Sequence, residues 1–187
     1  METKEIFIQS LKNAVMEVFS TTLSLIPEIK EKEFVFDGEQ KEVVLSCIGL
    51  AGGIEGTLNL IFSRDSACNM VSRLLNSEQV ELNQDVLDGT GEMANIFAGC
   101  FKRHLESAKF NFELSIPSVI HGMDSLHIVK LTKTEQISLY ISCHYFDLFL
   151  VLVIPSEVQG RIRPEEQKRS DQSKDVSKIL GDLTKEK

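Results

Sequence analysis

Glu92 and Asn95 stand three residues apart in the stretch DGTGEMANIFAG, residues 88–99, and that separation makes two side chains neighbours on one face of a helix. A carboxylate accepts hydrogen bonds and carries charge, while an amide donates and accepts at once without titrating. By itself such a pair is also an ordinary solvated face, so its surroundings decide what it means. Asp88 lies one turn before Glu92, and Gly89, Gly91 and Gly99 fall in the same stretch. Each glycine costs roughly 1 kcal/mol relative to alanine in a helix interior.

Turning about 100° per residue gathers Asp88, Glu92, Asn95, Gly99, Lys102, Arg103 and Glu106 into one polar sector. Met93, Phe97, Cys100, Phe101 and His104 lie opposite. No core packing explains the missing side chain at Gly99, so close approach of another molecule is what it suggests; Gly89 and Gly91 lie at the edges of the apolar face, where tight packing against a neighbour is sufficient. Asp88 serves either as contact surface or as a cap for the helix start. Lys102 and Arg103 either meet acidic groups of a partner or pair with Glu106.

Several elements must position this face. Ile8, Leu11, Val15, Val18, Phe19 and Leu23 recur at helical spacing and predict a first helix from Glu2 to Leu25, stopped by Pro27. The period then changes, predicting strands over Glu33–Phe36, Glu42–Leu50 and Ile54–Phe62, with Gly52-Gly53 joining the last two as a hairpin. A second helix begins after a cap at Ser63 or Asp65, and the long helix carrying the pair runs from Asn83 to Ala108. Four more strands are expected at Ser115–Ile120, Ser125–Lys130, Gln136–His144 and Leu148–Ile154. Runs of strands separated by a block of helices predict an α+β fold, a largely antiparallel sheet packed against about three helices.

The remaining candidates for chemistry are weaker. Cys47, Cys68, Cys100 and Cys143 are scattered without a CxxC pair and read as small buried hydrophobes. His104 falls on the apolar side and reads as a packed, hydrogen-bonded core histidine; His121, His127 and His144 have no carboxylates at ligand spacing, so no metal site is expected. GLAGG lacks the lysine and Ser/Thr of a phosphate-binding loop.

A chain of 187 residues fits one domain, and a net charge of −8 argues against nucleic acid as a partner. No basic-then-apolar leader and no run of about 20 apolar residues is seen, so a cytoplasmic location without membrane contact is expected. Residues 1–157 form the predicted domain. Beyond it, residues 158–187 are almost wholly charged and polar, a predicted flexible tail in which Val176, Ile179, Leu180 and Leu183 are spaced for a short amphipathic helix.

Taken together, Asp88-x3-Glu92-x2-Asn95 with Pro117 22 positions after the asparagine resembles the signature of the CheC/CheX family of chemotaxis phosphatases. SCIGLAGGIEGTLNLIFSRDSACNMVSRLL resembles that family's hairpin and following helix, and IPSVIHG its entry into the later strands. Members resembling CheC carry the Glu/Asn motif twice. Here the nearest early match is Glu17 with Ser20 in place of asparagine, so the resemblance is to the single-site CheX branch.

That resemblance implies hydrolysis of the aspartyl phosphate on a CheY-like response regulator, in chemotaxis or another two-component pathway. Glu92 and Asn95 are then the catalytic pair, Asn95 orienting the attacking water and Glu92 meeting the regulator's active-site lysine. Asp88, Gly99, Lys102 and Arg103 are the implied partner-binding residues, and Pro117 shapes the border of the site. No cofactor is expected on this chain, Mg²⁺ belonging to the regulator, and a homodimer formed through sheet edges is implied. The alternative is a non-enzymatic signalling adaptor of the same fold that binds a receiver domain or another partner, which the extra tail favours.

Overall fold

Helix α1, Thr3–Val18, opens the computed structural model, which describes residues 3–34, 42–77, 81–123 and 134–156. It turns Phe7, Leu11, Ala14, Val15 and Val18 inward. One turn of the wider π type, Phe19–Leu23, continues it until Ser24 adopts a left-handed conformation (φ 54°) and ends the helix before Pro27. The strand that follows, β1, is Glu28–Glu31 and not the expected Glu33–Phe36. Part of that expected segment lies outside the described residues, and Glu33 and Phe34 belong to no strand.

β2 (Glu42–Gly52) and β3 (Gly56–Ser63) form the expected hairpin, and Ser63 caps α2 (Arg64–Leu74) by accepting from the Ser66 N–H at 3.2 Å. Gly53 is required at the hairpin's turn. Its N–H donates to the Asn111 carbonyl at 3.0 Å, and a Cβ there would lie 2.2 Å from that oxygen. Asn83 caps α3 (Gln84–Ser107), its side-chain oxygen accepting from the Val86 N–H at 3.0 Å. Then come β4 (Phe112–Leu114), β5 (Ser118–Met123), β6 (Thr134–Ser142) and β7 (Asp147–Pro155). The expected strand Ser115–Ile120 is thus broken at Ser115–Pro117, while Ser125–Lys130 and the tail from residue 158 lie outside the described residues.

The seven-stranded sheet runs β1-β6-β7-β3-β2, with both β4 and β5 on the outer side of β2, and all its pairings are antiparallel. Its connectivity is that of two similar halves, α1-β1-β2-β3 and α3-β5-β6-β7, which meet at the central β3–β7 pair. Each half lends its first strand to the other's hairpin: β1 pairs with β6, and β5 pairs with β2. Neither half can complete its sheet alone.

The core lies between one sheet face and the helices. Phe7, Phe19, Phe62, Phe97 and Phe101 are among the largest fully buried side chains, each contributing about 1.5–3 kcal/mol by its burial. Phe19 on α1 stands 6.4 Å, centroid to centroid, from Phe97 on α3, and Phe7 packs edge-on to Phe110 at 5.6 Å. These contacts run α1 and α3 in opposite directions. They also fix the rotation of α3 about its own axis.

Candidate active site on the long helix

With Val86, Met93, Ala94, Phe97, Ala98, Phe101 and Leu105 buried beneath it, α3 has one face left for solvent. Asp88, Glu92 and Asn95 all lie exposed on that face, in the order the helical period predicts. Among the described residues, neither the Glu92 nor the Asn95 side chain makes a hydrogen bond or ion pair within the chain. Asp88 accepts a hydrogen bond from Gln84 Nε2 at 2.8 Å. It does not cap the helix: Asn83 holds that position, one turn and more upstream, because a cap must accept from the first free N–H groups.

The three glycines divide as their angular positions suggest. A Cβ on Gly89 would lie 2.8 Å from Val71 Cγ2 on α2, and one on Gly91 would lie 3.1 Å from Val119 Cγ2 and 3.9 Å from Pro117 Cγ. Both are packing glycines. At Gly99 a Cβ would meet nothing within 4 Å, so the missing side chain leaves a bare stretch of helix one turn beyond the pair. Pro117 reaches the site through Gly91, which places it at the border of the turn that precedes Asn95.

The two cations of this helix are already engaged. Lys102 Nζ lies 3.2 Å from Glu113 Oε2 and 4.0 Å from Glu106 Oε1. Arg103 pairs with Glu17 on α1 and donates to Cys100 Sγ at 3.1 Å. The expected pairing with Glu106 is found for Lys102 only; the partner of Arg103 is 86 positions away in sequence. His104 departs from its expected core position: it is half-buried, with Nε2 3.0 Å from Glu17 Oε2. The Arg103 guanidinium, opposed by burial and helped by His104, holds the Glu17 carboxyl below its usual range.

Since Lys102 and Arg103 are neutralised by the chain's own carboxylates, the charges left open around Asn95 are those of Asp88 and Glu92. Such a face favours a cationic group on whatever meets it. The neutral amide of Asn95 next to the carboxylate can bind a water without taking its proton. The arrangement suits positioning chemistry; a strong base is absent from the pair itself.

The other candidates have structural explanations. His121 Nε2 lies 2.8 Å from Glu42 Oε1 on the neighbouring strand, and His144 packs edge-on to Tyr145. His127 lies outside the described residues. Burial pushes the thiols of Cys47, Cys68 and Cys100 up, which leaves them less nucleophilic. Sequence reasoning missed the engagement of Glu17 by Arg103 and His104 and the exposed Ile116 beside Pro117. Only the second had a local signal, an isoleucine directly before a proline.

An antiparallel sheet built from two strand-exchanging halves, helices on one face, and an acid–amide pair presented to solvent by the second half's helix define an α+β domain whose candidate site faces outward. The sequence profile described as "Chemotaxis phosphatase CheX" matches residues 44–142, more than half of the chain, and the chain belongs to that family. It is 29% identical over 118 residues to the CheY-P phosphatase CheX of Thermotoga maritima, covering 63% of this chain and 76% of that protein. The crystal structure of the chemotaxis protein CheX from Vibrio vulnificus superposes with a TM-score of 0.66 at 24% identity, covering 79% of this chain and 97% of that one. CheX in the CheX-CheY-BeF3-Mg²⁺ complex from Borrelia burgdorferi superposes with a TM-score of 0.63 at 20% identity, covering 79% and 96%. These superpositions show the CheX-like fold. In addition, no helix among the described residues is long and apolar enough to cross a membrane.

Proposed function

We propose that this chain hydrolyses the aspartyl phosphate of a CheY-like response regulator, with Glu92 and Asn95 as its catalytic residues. The observation that carries the reading is that both side chains stand exposed and unengaged on a rigidly packed helix, within a family of chemotaxis phosphatases. The Thermotoga maritima relative is a CheY-P phosphatase, and the Borrelia burgdorferi protein was crystallised with CheY, BeF3 and Mg²⁺.

In this reading the regulator supplies the phosphoryl group, its lysine and its Mg²⁺. Glu92 receives the lysine ammonium, which docks and aligns the regulator. Asn95 then enters beside the phosphorus and orients a water by donating and accepting at once. The water oxygen forms the new P–O bond as the bond to the aspartate carboxylate breaks; the regulator recovers its carboxylate, and phosphate departs with the water's oxygen. Phosphoryl transfer depends mainly on positioning and electrostatics, so an amide is sufficient where a base would add little.

Asp88 extends the acidic contact surface, and Gly99 lets the regulator's rim approach the helix. Lys102 and Arg103 shape that surface through their ion pairs and meet the partner only at its edge. Pro117 stays a border element. The protein acts in the cytoplasm as a homodimer joined through sheet edges, for which, among the described residues, β1 at one end and β4/β5 at the other offer unpaired sides.

The test is single-turnover loss of phosphate from the cognate Mg²⁺-loaded regulator, with wild type, Asn95→Ala and Glu92→Ala. Wild type accelerates the loss; Asn95→Ala abolishes acceleration while leaving binding intact, and Glu92→Ala weakens both. Binding without acceleration by wild type would assign the protein to the adaptors instead.

A further inference from the structure

Arg73, in the last turn of α2, is an arginine that no carboxylate claims. Of the three arginines among the described residues, Arg64 pairs with Glu42 and Arg103 with Glu17, as befits a chain of net charge −8. Arg73 forms no ion pair among the described residues. Its Nε donates to the Leu23 carbonyl at 3.2 Å, and its guanidinium carbon lies 5.5 Å from the centre of the Tyr145 ring. Those contacts anchor the group and leave its two terminal nitrogens open.

The arginine lines a cleft of about 630 Å³. Asn69, Asn76 and Ser77 line it from α2 and the end of that helix, and His144 and Tyr145 line it from the turn between β6 and β7. The turn is held in place. Asn69 Nδ2 donates to the Tyr145 carbonyl at 3.1 Å, His144 packs edge-on to the Tyr145 ring with centroids 5.1 Å apart, and the next residue, Phe146, is buried against Phe19. Among the described residues, no carboxylate and no part of α3 lines the cleft, so it is separate from the Glu92–Asn95 face. The C-terminal end of a helix opposes an anion, yet the last carbonyls of α2 are already occupied: Leu75 N–H donates to Val71, Asn76 N–H to Arg73 and Ser77 N–H to Ser72.

A guanidinium with free terminal N–H groups matches the oxygens of a phosphate or a carboxylate. Here amide, hydroxyl and imidazole groups line the same cleft, more donors than the two oxygens of a carboxylate require, whereas the three terminal oxygens of a phosphate monoester take them up. The Tyr145 ring, 48% exposed, offers apolar surface to the rest of a ligand, and the volume falls within the roughly 300–1,000 Å³ of small-molecule sites. We propose that the cleft between α2 and the β6–β7 turn binds a small organic phosphate, with its phosphoryl group on Arg73 and its organic part against Tyr145. Both residues are anchored beforehand, so little freedom is lost on binding. The site does not depend on the phosphatase reading, because none of its residues belongs to the helix that carries Glu92 and Asn95.

The test is an NMR titration of the whole isotope-labelled chain with inorganic phosphate, AMP and citrate, using wild type, Arg73→Gln, Ser77→Asp and Arg64→Gln, the last an arginine already held by a carboxylate. AMP shifts the signals of the cleft residues saturably and binds more tightly than inorganic phosphate or citrate. Arg73→Gln and Ser77→Asp each weaken AMP about tenfold or more, the loss expected for one charge-assisted contact, and Arg64→Gln matches wild type. Should Arg73→Gln unfold on losing its contact with Leu23, Ser77→Asp, which keeps that contact, decides alone. The proposal is overturned by the absence of a saturable shift in the cleft, by an AMP affinity that either folded variant leaves unchanged, or by equal or tighter binding of inorganic phosphate or citrate.

Discussion

Nε2 of His104 lies 3.0 Å from Oε2 of Glu17, and the Arg103 guanidinium donates to the other oxygen of the same carboxylate. The two residues of α3 therefore fasten α1 through a single side chain. Glu17 is also the nearest early match to the Glu/Asn motif, with Ser20 three positions later in place of asparagine. Its carboxylate is spent on holding the two helices together. Glu92 is left to solvent on α3, whereas Glu17 serves as an interhelical clamp.

The clamp titrates. The hydrogen bond from Arg103, outweighing burial, keeps the Glu17 carboxyl below its ordinary 4.5. A lowered carboxyl stabilises the fold fully above the unfolded value and loses that contribution as pH falls through the folded one. Glu17→Gln is thus expected to destabilise by up to about 1 kcal/mol near neutral pH, the site being a third exposed, and the difference from wild type shrinks toward zero below pH 4.5. Urea unfolding of both proteins from pH 7 down to pH 3 measures it; a gap that widens in acid contradicts the clamp.

The start of α3 rests on Asn83, whose side chain satisfies the Val86 N–H. Replacing it with alanine leaves that donor to water and is expected to lower stability by about 1 kcal/mol. Asp88→Ala, by contrast, removes no cap and leaves stability within about 0.5 kcal/mol. Equal losses for the two in chemical denaturation would return the capping role to Asp88.

Tyr140 donates to Asp147 Oδ2 at 2.6 Å, and that hydrogen bond, with burial second, pushes its phenol up to about 12 from an ordinary 10.0. A raised phenol stabilises the fold fully below its unfolded value and loses that contribution as pH rises through the folded one. The chain has two tyrosines, so ultraviolet titration of the folded protein should resolve one of them near 12. Asp147→Asn is expected to bring it down toward 10; a titration unaltered by that change would rule out the hydrogen bond as cause.

How much of this was legible in the chain follows from which interactions are local. The bounds of α3 were, because a cap at Asn83 and an apolar stripe through Met93, Phe97 and Phe101 are properties of neighbouring residues. β1 was not. Its sequence, EIKE, is charged as an edge strand's should be, and only its pairing with β6 makes it a strand, so β-branched and aromatic content points past it to Glu33–Phe36. The break between β4 and β5 at Ser115–Pro117 exists only relative to the register of β2, and the Glu17 clamp joins residues more than 80 positions apart. The Glu92–Asn95 face was legible for the same reason as the helix beneath it, whereas the role of each cation beside it depended on distant carboxylates.

Two glycines of α3, Gly89 and Gly99, stand in opposite surroundings. At Gly89 a methyl group would press 2.8 Å against Val71, which is fully buried and cannot move away cheaply, so Gly89→Ala is expected to destabilise by about 1–3 kcal/mol. At Gly99 the same methyl meets open space, and the gain in helix propensity should stabilise the protein by roughly 0.5–1 kcal/mol. A more stable variant that binds the regulator worse is the signature of a glycine kept for close approach, so Gly99→Ala should raise the half-saturating concentration in the single-turnover assay while raising the unfolding midpoint. If Gly99→Ala stabilises the fold and leaves regulator engagement untouched, the bare stretch of helix beyond Asn95 has no part in docking, and the contact surface ends at the turn that carries the pair.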